Sequence, residues 1–212
     1  MTGRREFITR LGVVAAGFSL DSDDLVEMRA TSEGEWDNSW IARVEAAKYR
    51  VVFNTSEIAD GAVFSYVGAF LDGFRETHNT SDADTRAVSM FRRLGTVMAL
   101  NDAMWERYEL GVDRQVTDPL TKAPAKRNIF LNRPANQGGS IEQLQARGMI
   151  PLVCNVSIGS MSMSFAKKVG SDAATVRKEL VANLIPGAIL VPSGIYALIR
   201  AQNAGCAFME GT

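Results

Sequence analysis

The residues able to do covalent chemistry are few. The 212-residue chain has two cysteines and one histidine, with 23 basic and 24 acidic side chains. A single His78 supports neither a His-rich metal site nor a repeated proton relay. It falls in a polar run, His78-Asn79-Thr80-Ser81-Asp82, which offers no triad partner. Cys154 is placed differently. It ends the apolar run Met149–Cys154 and precedes Asn155, where a strand gives way to a helix. Backbone N–H groups at a helix start favour negative charge on a sulfur held there. The same residue type is also a common small buried hydrophobe, and both readings stand at this point. Cys206 opens the last β-rich run and is expected in the core. With parallel strands the two sulfurs fall toward opposite sheet ends, too far apart for a disulfide.

Further candidates follow from where ligands bind in α/β sheets, beyond the carboxyl ends of the strands. That rule selects Asn54, Thr55, Ser56 and Glu57 after the first strand, Arg92 and Arg93 after the second, Asn155 beside Cys154, and Ser193 and Gly194 after the fourth. Of these, Asn54, Glu57, Arg92, Asn155 and Ser193 are the expected ligand-binding residues, with Cys154 as the catalytic candidate. No metal site and no cofactor are expected. The methionines Met98, Met104, Met161 and Met163 suggest adaptable apolar packing rather than a copper site. There is no G-x-G-x-x-G after a strand and no P-loop, so nucleotide binding has no motif support.

The elements that must hold these residues alternate between short β-rich runs and longer helical ones. Strands are predicted over Tyr49–Phe53, Ala87–Phe91, Met149–Cys154, Ala188–Val191 and Cys206–Met209. Pro151 in the third suggests an edge or a bulge. Helices are predicted over Ala62–Phe74, around Ala99–Tyr108 with Gly111 as the stop, and over Ile141–Arg147 with Ser140 as N-cap. Three more are predicted over Ile158–Val169, Ala173–Leu184 and Ile195–Ala204. Strands separated by helices imply parallel pairing, hence a three-layer α/β/α fold on a five-stranded, mainly parallel sheet. Residues 111–139 keep no period and carry a net charge of +3, the pattern of a solvated flap or an anion-recruiting lid.

Composition is that of an ordinary globular chain, 46% hydrophobic and 22% charged, with a net charge of -1. Wholesale disorder and general nucleic-acid binding are excluded as readings. The start differs from the rest. Residues 1–20 combine Arg4, Arg5 and Arg10 with a short apolar stretch from Leu11 to Leu20. Ten residues rise about 15 Å as a helix, half a bilayer core, so a signal peptide fits better than a membrane span. Arg4-Arg5-Glu6-Phe7-Ile8 resembles a twin-arginine export signal, which implies a periplasmic protein that meets the twin-arginine machinery. Ala15-Ala16-Gly17 and Gly17-Phe18-Ser19 only approximate a cleavage site. Residues 21–47 read as an acidic linker ending in a docking segment whose Trp36 and Trp40 pack on the domain surface. Residues 48–212 form the domain.

The C-terminal third carries a wider resemblance. Ala146-Arg147-Gly148-Met149, Pro151-Leu152-Val153-Cys154-Asn155, Ile185-Pro186-Gly187-Ala188, Val191-Pro192-Ser193-Gly194-Ile195-Tyr196 and Gly205-Cys206-Ala207-Phe208 occur in that order. The chain resembles the DsrE/DsrF-like family, which includes sulfur-relay proteins. More narrowly it resembles an exported branch with a twin-arginine leader, an Asn101-Asp102 helix and a long middle loop. The resemblance implies a three-layer fold, assembly into homo-oligomers, and a persulfide accepted on Cys154 from a thiol or persulfide partner protein. Asn155 and the adjoining backbone N–H groups would then steady the sulfur. A non-catalytic periplasmic small-ligand-binding or assembly protein is the alternative.

Overall fold

The computed structural model describes residues 36–134 and 138–212. The expected leader, and the linker up to residue 35, lie outside the described residues. The strands are β1 (Tyr49–Thr55), β2 (Thr85–Phe91), β3 (Met149–Cys154), β4 (Ile189–Val191) and β5 (Ala207–Glu210). They form one all-parallel sheet in the order β4-β3-β2-β1-β5. The α/β expectation is met.

Strands β1 to β4 carry buried apolar residues, as a sheet covered on both faces requires, while the edge strand β5 is exposed along its length. Alternation along the strand sends Val51, Phe53, Ala87, Phe91, Met149 and Val153 to one face. It sends Val52, Val88, Met90, Ile150, Leu152 and Cys154 to the other. The first face is covered by α2 (Ala62–His78), α6 (Asn155–Val169) and α7 (Ala173–Ala182), together with the β2–β3 connection. That connection contains α3 (Asp102–Arg107), α4 (Leu110–Asp113) and α5 (Ile141–Ala146). The second face is covered by α1 (Ser39–Glu45) and α8 (Gly194–Asn203).

Parallel crossovers are right-handed, which explains the partition. The steps β1 to β2 to β3 to β4 move one way across the sheet, so their helices share a face. The return from β4 to β5 moves the other way and places α8 opposite. Trp40 of α1 goes deeper than surface packing, at 0% exposure within the α8 layer. Trp36 is half-buried.

Two local expectations are corrected, and a third is met with narrower bounds. Pro151 lies in an interior strand, not at an edge or a bulge. The three-residue β4 pairs only with Leu152–Cys154, so Pro151 has a strand on one side alone and its missing N–H is tolerated. The helix expected around Ala99–Tyr108 is found as the shorter α3, which Asn101 caps through the Met104 N–H at 3.2 Å, and a 3₁₀ turn over Arg93–Ala99 precedes it. Gly111 does not stop a helix but sits inside α4. A Cβ there would stand 2.2 Å from the backbone N and O of Ala125, so glycine admits the crossing chain.

That crossing chain belongs to the 111–139 segment, whose described residues up to 134 are anchored into the first face. Val116, Ala125 and Phe130 are buried with α2 and α3, and the Phe130 ring meets Phe64 at a tilt and Trp105 edge-on. Asn128, fully buried, holds it there. Its amide donates to the carbonyls of Met98 (2.8 Å) and Leu100 (2.7 Å), and its Oδ1 accepts the Phe130 N–H (3.0 Å). Asn128→Ala leaves two carbonyls and one N–H unpaired in the core, for a loss of about 3 kcal/mol or more. Urea unfolding should register that loss. A change below about 0.5 kcal/mol would mean that the segment is only laid on the surface.

Candidate functional site

Strand β3 runs into α6 on the first face, while its neighbour β4 runs into α8 on the second. Two helices therefore begin at adjacent strand ends and leave in opposite directions. A crevice of that kind is where open α/β sheets bind ligands. Cys154, the last residue of β3, lies in it. It is the N-cap of α6, and its Sγ accepts the Ser157 N–H at 3.4 Å. The same sulfur accepts the Gly194 N–H, the first residue of α8, at 3.1 Å. Amides from two helix starts thus converge on one thiol that is 5% exposed.

The chain favours this locally. β3 is buried along its whole length, which fixes the strand end, and Gly170 closes α6 in a left-handed cap. Ser193 caps α8 through the Tyr196 N–H at 3.1 Å. Gly194 has no side chain because the Arg92 stem lies on it; a Cβ would meet Arg92 Cδ at 3.0 Å. Hydrophobic side chains exposed around the sulfur are Leu94, Val156 and Ile195.

The residues selected from the sequence divide into two groups. Cys154, Asn155, Arg92 and Ser193 come together at the β3–β4 end. Ser193 spends its hydroxyl on the cap, and Asn155 accepts from the Arg177 guanidinium through its Oδ1. Asn54 and Glu57 are not part of this cluster. Asn54 donates to Glu210 at 2.8 Å, and the Glu57 N–H donates to the Thr212 carbonyl at 2.8 Å, beside β1 and β5. Strand β2 separates those two strands from β3. His78 stacks on Tyr49 and Phe74 at the opposite sheet end, so no imidazole faces Cys154.

Arg93 and Gly194, which the strand-end rule also selects, take part in the site through their backbones, and Arg177 joins them from outside that selection. Arg93 follows Arg92 in the chain, and its N–H donates to Ser157 Oγ at 2.8 Å, linking the β2 exit to the α6 start. Its backbone stands at φ 50°, a left-handed conformation unusual outside glycine. Gly194 is the first helical residue after Ser193. Arg177 lies in the middle of α7 and carries no signal in the sequence that ties it to Cys154.

Both thiols are free. Burial pushes the Cys206 thiol up to about 11 from its ordinary 9.0, against a smaller opposing pull from Arg50. Among the described residues no three His, Cys, Asp or Glu side chains gather as a metal site, and no helix is long and apolar enough to cross a membrane. An open groove between α3 and residues 118–127 offers little free chemistry. There Asp102 accepts from the Asn128 N–H, and Asp118 pairs with Arg127 at 2.9 Å.

The raised Cys206 value has a pH signature. The native state keeps a proton that the unfolded chain releases above pH 9, so this share of stability is intact below pH 9 and is lost as pH rises to about 11. Cys206→Ala should flatten the fall in urea midpoint over that window relative to the parent protein. Parallel curves for the two proteins would contradict the burial of Cys206.

No family model, curated protein or solved structure matches this chain.

Proposed function

We propose that this protein is an exported sulfur carrier of the DsrE/DsrF-like kind, with Cys154 as the residue that accepts and releases sulfane sulfur. The observation that carries the reading is the pair of amides, Ser157 N–H and Gly194 N–H, directed at Cys154 Sγ from two different helices. Two N–H dipoles on one sulfur suit an atom that bears negative charge during exchange.

The step is an exchange at sulfur. The Cys154 thiolate attacks the outer sulfur of a donor hydropersulfide, forming a new S–S bond as the donor's S–S bond breaks. The donor leaves as a thiolate, and the transferred sulfur keeps its proton, so no external oxidant or reductant is consumed. Delivery reverses the roles. An acceptor thiolate takes the outer sulfur, and Cys154 leaves as thiolate with the same two amides on it. Loading also moves the reactive atom outward by one S–S bond, about 2 Å. A sulfur recessed at 5% exposure thereby presents a more accessible one.

The low exposure of Cys154 also favours a second reading, a non-catalytic periplasmic binding or assembly protein in which the sulfur only caps α6. One experiment separates the two. Incubated with a small hydropersulfide, the carrier gains the mass of one sulfur on Cys154, and Cys154→Ser gains none. Cys206, whose proton is held to about pH 11, stays unloaded at neutral pH in both proteins. A parent chain whose Cys154 peptide shows no added sulfur is the binding protein.

Export rests on Arg4 and Arg5 within the leader pattern. Replacing both with Lys should hold the protein inside the cytoplasm, as read by cell fractionation. A periplasmic share equal to that of the parent chain would rule out the twin-arginine route.

A further inference from the structure

The sulfur-carrier reading leaves the donor open, and three arginines around Cys154 narrow it. The stem of Arg92 lies against Gly194, whose N–H donates to the sulfur. Arg93 is exposed and is tied through its backbone to Ser157, whose N–H donates to the same sulfur. Arg177 reaches Asn155, the residue that follows Cys154, and its Nε is buried with no partner. None of the three belongs to an ion pair among the described residues. Guanidinium groups left without carboxylates beside a site favour an anion that arrives from outside.

Two further features limit its size and charge. Each helix start has an amide that its cap does not engage, on Val156 in α6 and on Ile195 in α8, and such amides favour anions. The 5% exposure of Cys154 admits a slim donor more easily than a thiol carried on a protein surface. Resting on the carrier reading, we infer that the donor is a small dianion in which sulfane sulfur is bonded to a sulfonate group, the thiosulfate class. The Cys154 thiolate attacks the terminal sulfur, the S–S bond of thiosulfate breaks, and sulfite leaves with the electron pair. A persulfide anion remains on Cys154. Charge balances at three negative charges on each side, and no other reactant is consumed. Arg92, Arg93 and Arg177 hold the sulfonate and stabilise the departing sulfite.

The test uses the full chain with two donors in parallel, thiosulfate and the hydropersulfide of a small uncharged thiol. Sulfite release and sulfur mass on Cys154 are the readouts. Thiosulfate should load the parent protein with one sulfite released per sulfur gained. Arg92→Gln and Arg93→Gln should each lower the preference for thiosulfate over the uncharged donor by about tenfold or more. Gly194→Ala, which displaces the Arg92 stem, should lower it in the same direction. Loading by the uncharged donor without loading by thiosulfate would overturn the donor assignment while leaving the carrier intact. So would an unchanged preference in both arginine variants. Loading by neither donor would overturn both.

Discussion

The handedness of parallel crossovers governs the molecule. Three successive right-handed steps commit one face of the sheet to α2, α6 and α7, and the single return step commits the other to α8. The reversal of direction falls between β3 and β4. Any residue at the end of β3 therefore faces the starts of two helices at once. Cys154 occupies that position, and the amides of Ser157 and Gly194 on its sulfur follow from topology as much as from local sequence. A thiol at the end of β1 or β5 would have lain away from this crevice, since β2 separates those strands from β3.

Packing keeps that geometry in place. Cys154 belongs by alternation to the face covered by α1 and α8, beside Leu152, Val191 and Ala197. The described residues of the 111–139 segment up to 134 belong to the other face, where Asn128 and Phe130 anchor them through buried contacts. The irregular stretch is thus part of the scaffold behind the sheet. Basic charge near the sulfur comes instead from Arg92, Arg93 and Arg177, residues of the β2 exit and of α7. Arg93 accepts a left-handed backbone at φ 50° while its N–H fixes Ser157, so a strained residue ties two elements of the site together.

Much of this was legible in the sequence, for identifiable reasons. Strands buried on both faces give continuous apolar runs, and Met149–Cys154 is found at the predicted bounds. Ser140 and Ser193 act as helix caps because their hydroxyls stand three residues before an N–H they can reach. The rule of strand ends located Cys154, Asn155, Arg92 and Ser193, but it cannot rank ends before strand order is known. Asn54 and Glu57 therefore entered on equal terms and lie elsewhere. Pro151 misled because its tolerance depends on the shortness of β4, a property of another segment. Gly111 misled because glycine serves both helix ends and close crossings, and only the path of Ala125 tells which. Arg177 could not be found at all, since its link to Asn155 spans 22 residues and two helices.

The central claim is that one sulfur is held by two helix starts and exchanges sulfur there. Amide NMR spectra recorded while the protein is loaded by a hydropersulfide address it most directly. The account predicts that the Ser157 and Gly194 amide resonances move together, in proportion to the sulfur gained on Cys154, while Gly205 and Ala207 beside Cys206 stay in place. Sulfur gained on Cys154 with the Ser157 and Gly194 amides unmoved would contradict it.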